Sequence, residues 1–480
     1  MIMLERNKER TANSMLWSAI ERFSVQGIQF ILSIIIARLV SPSDYGLIAM
    51  LGIFLAVAQT FIDSGFSSAL IQKHKCTELD FSTVFYFSII VSILVYCLIY
   101  LFSPCIAVFY HETELILITR VVGLNLIINS LATVQRAKLT IDLNFKLQAI
   151  IAFVAVVISG VAGVYLAYQK WGVWALVFQT LLYNILSTFL FIVFTKWKPL
   201  FNFSFRSFKV LFSFGSKLLV GGLLHSLYVN LYTLVIGRYF SATELGYFNR
   251  ANSISQYPSF NLTNIISRVT YPIECKIQEN EELLQEKFFL FLRMATYIIF
   301  PLMIGLCALA EPLVKLLLTD KWLPAVPFLQ IMCVAYMWDP VQRMCWELLN
   351  VKHRSDYSLK SEIIKKIIAF CILLLTIWGG ITIMCWGLVL YAFLDVFIIT
   401  KFTIKVLDKV TYKNVIKTIF PNLLLSVVMG GIVSLLSLLW SNVWLQLFFG
   451  TLLGGLFYLG FSYLFGYREI KLLIKSYFNK

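Results

Sequence analysis

Arg250, Tyr257, Asn261, Asn264 and Arg268 follow one another at intervals of seven, four, three and four residues, which puts them on one face of a helix. Asn249, Asn252, Ser253 and Gln256 spread polarity to the other faces of the same stretch. A helix this polar inside an otherwise apolar chain lines a cavity or bonds to neighbouring helices. A second stripe carries Arg22, Gln26, Gln29 and Ser33, with Glu21 beside it. Gln59 and Asp63 stand one turn apart, as do Asn125 and Asn129, with Arg120 shortly before them. Lys217 precedes Gly221, Gly222, His225, Tyr228 and Tyr232. Within apolar runs the cations Arg22, Arg120, Lys217, Arg250, Arg268 and Arg293 outnumber the acids Glu21, Asp63 and Asp395. Uncompensated positive charge in a low dielectric attracts an anion, above all a phosphate or pyrophosphate. The three acids are candidates for binding a proton or Na⁺. Asp339, Arg343 and Glu347, at i, i+4 and i+8, can instead neutralise one another along one face.

Chemistry of bond making has no visible home. There is no Walker A loop, the four histidines lack metal-ligand spacing, and no Ser/His/Asp set falls at one depth. The nine cysteines are scattered without a C-x-x-C pair and read as small core residues, so neither a metal nor another cofactor is expected.

The elements that must position these residues are membrane helices. The chain has 480 residues, 59% hydrophobic and 14% charged, and a mean hydropathy of +0.82. That composition specifies an all-α polytopic membrane protein with about 14 spans. The formal charge of +15 follows from loops facing the cytoplasm rather than from nucleic-acid binding. With the N-terminus inside, lysines and arginines concentrate on the cytoplasmic side, above all in the 351–366 and 401–417 loops, so both termini are expected there. No small-residue cleavage site follows an early apolar run, so no removable signal peptide is expected. Lys321-Trp322 reads as an interfacial anchor, and Pro301, Pro312, Pro327 and Pro340 interrupt or flank helices.

One turn is written twice. Arg38, Ser41, Asp44 and Gly46 recur as Arg238, Ser241, Glu244 and Gly246, and each copy is a capping box between two apolar runs. Asn144–Leu147 has a fainter echo in Asp356–Leu359. A turn repeated two hundred residues apart implies a duplicated half-protein. The expected organisation is a six-helix lobe over 1–195, a cytoplasmic connector over 196–210 and a second six-helix lobe over 211–403. Two extra helices and a basic tail follow over 404–480. Six is an even number, so the two lobes share one orientation and are expected to be related by a pseudo-twofold axis along the membrane normal. The connector interleaves aromatic and basic residues, which suits an interfacial segment or an ordinary anchored loop.

The stretch Ile36–Gly46 and its continuation Phe61–Gln72 resemble the first hairpin of bacterial polysaccharide flippases. Leu245–Ala251, Pro258, Tyr271-Pro272, Glu311-Pro312 and Lys321–Val326 follow the order and spacing of that family. The resemblance spans roughly residues 12 to 400 and points to the Wzx-like polysaccharide transporters of the multidrug/oligosaccharidyl-lipid/polysaccharide exporter superfamily. It implies a MATE-like fold with two six-helix lobes, a central cavity and alternating access in the bacterial inner membrane. The implied substrate is an undecaprenyl-pyrophosphate-linked oligosaccharide for O-antigen, capsule or exopolysaccharide. A polysaccharide polymerase and a chain-length regulator would be its partners. Arg22, Arg250 and Arg268 would hold phosphates, with Arg120 and Lys217 as weaker candidates. Gln26, Tyr257, Asn261 and Asn264 would meet the rest of the headgroup. The rivals are a lipid II or multidrug exporter of the same superfamily and, less so, a membrane glycan polymerase, which would need a larger outward loop.

Overall fold

The computed structural model describes residues 25–73, 76–407 and 410–467, without the side chains of Phe214 and Lys217. Arg22, Glu21 and the Lys217 side chain therefore lie outside the described residues. The chain runs α1 (Val25–Leu39), α2 (Pro42–Asp63), α3 (Phe66–Gln72), α4 (Glu78–Tyr110), α5 (Leu115–Ser130), α6 (Thr133–Ile141), α7 (Phe145–Tyr168), α8 (Val173–Thr195), α9 (Phe205–Val229) and α10 (Leu231–Tyr239). It continues through α11 (Ala242–Lys276), α12 (Glu281–Ala308), α13 (Ala310–Leu318), α14 (Val326–Tyr336), α15 (Asp339–Val351), α16 (Ser355–Thr376), α17 (Ile381–Ile404), α18 (Tyr412–Ser437) and α19 (Val443–Leu464).

Each apolar run in the sequence coincides with a helix or with two helices in succession. Among the described residues, eight runs are long and apolar enough to cross a membrane unaided, and α5–α6 and the two parts of α9 add two bent pairs. The rest have visible reasons for falling short. α11 is too polar, α16 opens on charged residues, and the 326–351 stretch is broken between α14 and α15. That break follows the prolines. Pro327 and Pro340 each sit in the first turn of a helix, where a missing N–H costs no hydrogen bond.

The duplication is legible in local geometry. The Ser41 backbone N–H donates to Asp44 Oδ2 at 3.2 Å, and the Asp44 N–H donates to Ser41 Oγ at 3.2 Å. Ser241 and Glu244 repeat the exchange at 3.1 and 3.2 Å. Left-handed residues recur at corresponding joints: Leu143 before α7 and His353 before α16, then Gly172 before α8 and Gly380 before α17.

The chain parts into two compact units, one ending at Gly246 and the other starting at Tyr247. The repeat restarts near the connector, but compactness follows packing, and α9 and α10 pack with the first unit along α2. Glycines draw this seam close. A Cβ on Gly215 would stand 2.3 Å from the Ser64 carbonyl oxygen, and one on Gly222 would stand 2.9 Å from Thr60 Cγ2. Between them the Thr60 and Ser226 hydroxyls meet at 3.0 Å. At the far end the two copies of the duplicated turn touch. A Cβ on Gly46 would lie 1.7 Å from the Ala242 carbonyl oxygen, and one on Gly246 would lie 1.9 Å from that of Pro42.

The connector is partly tied down. Trp197 Nε1 donates to Glu78 Oε2 at 2.5 Å, and Lys138 Nζ reaches Glu78 Oε1 at 2.8 Å. The Leu200 and Ser204 N–H groups donate to Ser82 Oγ and Thr83 Oγ1 at 2.8 and 3.1 Å. Trp197 joins Phe66, Phe81 and Leu211 in an apolar cluster, whereas Phe201 is almost wholly exposed. Glu78→Ala removes the acceptor of both charge-assisted bonds. Because Glu78 is half exposed, the expected cost is about 1–2 kcal/mol, read as a lower melting temperature of the purified protein; an unchanged value would show the knot to be incidental.

In the second unit α12 packs on α18, α14 and α15, and α17 packs on α14, α15 and α16. Trp322 is not the interfacial anchor expected from the sequence. Its side chain is completely enclosed, edge-on to Tyr247 with ring centroids 6.0 Å apart, because the short 3₁₀ turn Asp320–Ala325 folds it inward.

Candidate functional site

α11 carries two polar faces with different surroundings. Tyr257 (55% exposed) and Arg268 are open, and Asn261 and Asn264 are half-buried between them. These four form an accessible surface of one phenol, two amides and one guanidinium. Arg250 does not share that exposure. It is 8% exposed and enclosed near the start of the helix. The spacing that places it with the other four is real, but neighbours cover the first turns of α11 and leave the later turns open.

The opposite face has a period just as regular. Ser255, Ser259, Thr263, Ser267, Thr270 and Glu274 recur every three or four residues and are all buried. Ser259 Oγ donates to Asp339 Oδ2 at 2.9 Å and lies 2.7 Å from the Tyr336 carbonyl oxygen, at the break between α14 and α15. Tyr336 reaches back to Asn252 Oδ1 at 2.5 Å. Asp339 is thus held by α11 and stands apart from Arg343 and Glu347. Those two form the expected i, i+4 pair, with Arg343 Nε 2.7 Å from Glu347 Oε1.

Asp395, midway along α17, is matched by a cation. Lys365 of α16 lies 3.2 Å from Asp395 Oδ1 and 2.6 Å from Glu362 Oε1, and both Lys365 and Asp395 are buried. A carboxylate already neutralised by an ammonium is a poor holder of a further cation. At the junction of α15 and α16, outside the spans, Arg354 forks onto Asp356 at 2.9 and 3.0 Å. These hydrogen bonds hold the Asp356 carboxyl down at about 2.

In the first unit Asp63 accepts from Gln59 Nε2 at 3.1 Å, and the Arg136 guanidinium acts on it as the nearby countercharge. Arg136, at the end of the run that holds Asn125 and Asn129, lies over the Phe191 ring at 5.1 Å. Its place in the same apolar run, sixteen residues after Arg120, is open to view in the sequence. Asn125 is interhelical glue, accepting from Asn184 Nδ2 at 2.9 Å. Arg120 is similarly committed. Its Nε donates to Ser103 Oγ at 3.0 Å and its guanidinium stacks over Tyr100 at 4.3 Å. Gln26 is half-buried in α1. Among the described residues, no group of three or more His, Cys, Asp or Glu converges as a metal-ligand set.

A broken-helix bundle with polar residues enclosed in its spans defines a multi-pass membrane protein. The lipid II flippase MurJ, in an inward closed conformation, superimposes with a TM-score of 0.75 over 95% of this chain and 99% of that one, at 16% identity. Residues 35–327 match the family described as polysaccharide biosynthesis protein, and the chain belongs to that family. The teichuronic acid biosynthesis protein TuaB of Bacillus subtilis (strain 168) is 28% identical over 342 residues, 71% of each chain. The lipopolysaccharide biosynthesis protein WzxC of Escherichia coli (strain K12) is 27% identical over 364 residues, 75% of this chain and 73% of that one.

Proposed function

We propose that the protein is a flippase that moves polyprenyl-pyrophosphate-linked oligosaccharide repeat units from the cytoplasmic to the outer leaflet of the bacterial inner membrane by alternating access. The observation that carries this reading is the accessible polar face of α11 within a member of the polysaccharide biosynthesis family. Arg268 supplies a guanidinium for a phosphate, while Asn261, Asn264 and Tyr257 supply amides and a phenol for sugar hydroxyls and rings. Arg22, Gln26 and Lys217 belong to the same proposal as further headgroup contacts, and Arg250, enclosed in this state, would join them when the first turns of α11 are uncovered; Arg120, clamped by Ser103 and Tyr100, contributes to helix packing instead. The chain performs no covalent chemistry in this reading and binds no nucleic acid. Its termini face the cytoplasm, and a polymerase and chain-length regulator take up the flipped unit. H⁺ or Na⁺ coupling is part of the proposal; of the acids singled out in the sequence, Asp63 and Glu21 stay candidates, and the Lys365 ion pair counts against Asp395.

Reconstitution with a fluorescent lipid-linked repeat unit tests the proposal. Leaflet exchange with the glycan unchanged is the expected result, and a lengthened or cleaved glycan would make the protein an enzyme. Transport of lipid II alone would reassign the substrate. Arg268→Glu is expected to lower exchange at least tenfold with expression and melting temperature unchanged. Full activity in that variant would remove Arg268 from the site.

A further inference from the structure

Glu274 ends the buried face of α11. Its side chain is 0% exposed, and neither carboxyl oxygen has a hydrogen-bond partner. Glu347 of α15, itself 3% exposed, faces the same buried seam between α11 and α15, where Thr270 Oγ1, one turn before Glu274, lies 3.9 Å from Met344 Sδ, one turn before Glu347. Arg343 engages Glu347 Oε1 at 2.7 Å, while Oε2 has no partner. The one cation at hydrogen-bonding distance is thus on Glu347, and Glu274 has none. The other titratable side chains linked to the pair are Tyr271 and Cys275 of α11 and Cys345 of α15, none of which adds positive charge at neutral pH. Asp395 of α17 acts on Cys345, and its own cation, Lys365 of α16, is divided between Asp395 and Glu362. On α12, Glu281 pairs with Lys352 at 2.9 Å, and Arg293 lies over the Tyr467 ring. Two adjacent buried carboxyl groups with one countercharge do not both ionise, since the second negative charge would be neither solvated nor paired.

We propose that Glu274 and Glu347 hold one proton between them and that this proton is the coupling ion of the transport cycle. The second half rests on the flippase reading; the first does not. α11 presents its substrate face, Tyr257 to Arg268, on one side and Glu274 on the other, so a displacement of this helix on headgroup binding changes the enclosure of the pair. Water reaching Glu274 takes the proton from its carboxyl oxygen and leaves a hydrated carboxylate. Re-enclosure requires a proton to return, and no other bond changes.

Infrared spectroscopy and transport test this on the full-length protein. In detergent at neutral pH the wild type is expected to show a carboxylic-acid C=O band, lost in Glu274→Gln and retained, shifted, in Glu274→Asp. In proteoliposomes carrying the fluorescent lipid-linked repeat unit, a proton gradient is expected to accelerate wild-type transport about tenfold. Glu274→Gln should retain gradient-free exchange and lose the acceleration, while Glu274→Asp keeps both. An unchanged band in Glu274→Gln, or acceleration equal to the wild type, overturns the proposal. So does acceleration by a sodium gradient with no acid band in the wild type. Should Glu274→Gln not fold, Glu347→Gln is read in its place, and an acid band unshifted from the wild type together with full acceleration overturns the proposal equally. Wild-type protein that shows the acid band but moves no glycolipid overturns the flippase reading and the coupling role, while the shared proton stands.

Discussion

Gly46→Ala is expected to lower the melting temperature sharply and to reduce export at least tenfold. The new methyl carbon would lie 1.7 Å from the Ala242 carbonyl oxygen and 2.5 Å from its carbonyl carbon. Both are backbone atoms, so no rotamer change relieves the overlap and the two capping turns must part. Gly246 faces the same constraint from the opposite side, 1.9 Å from the Pro42 oxygen, so the contact is reciprocal. Overpacking of this kind costs about 3 kcal/mol or more when backbone must move. Gly222→Ala should cost less, because its nearest neighbour is the Thr60 methyl group. Gly221→Ala is the control, having nothing within 4 Å. Thermal unfolding of the three purified variants decides the matter; equal melting temperatures for Gly46→Ala and Gly221→Ala would show that the turns do not depend on this contact.

Lys365→Met is expected to destabilise the second unit by about 3–5 kcal/mol, the usual consequence of leaving one member of a buried ion pair behind. The variant strands Asp395 inside α17 with no matched cation, and Glu362, more exposed than Asp395, gains water in exchange. Lys365→Met/Asp395→Leu should recover most of the loss, because removing both charges also removes their desolvation cost. The melting temperatures of single and double variants form the test. A double variant no more stable than the single one would mean that the pair specifies a packing arrangement that apolar side chains cannot replace.

The sequence by itself determined what depends on near neighbours along the chain. Apolar length fixed the helical membrane class, and the exchange between a serine and an acid three residues on fixed both capping boxes. Proline at the first turn of α14 and of α15 marked the break in that run. Tertiary structure decided which neighbour each face meets. A period of 3.6 places Arg250 with Tyr257, Asn261, Asn264 and Arg268, yet Arg250 is buried and Tyr257 and Arg268 are open. The same period defines the Ser255–Glu274 face equally well, and only packing shows that face to be enclosed against Asp339. Spacing likewise grouped Asp339 with Arg343 and Glu347, whereas Ser259, eighty residues away, takes it. Periodicity names the residues that share a direction; what lies in that direction comes from chain segments distant in sequence, and the same separation kept the two copies of the turn from being read as partners in contact.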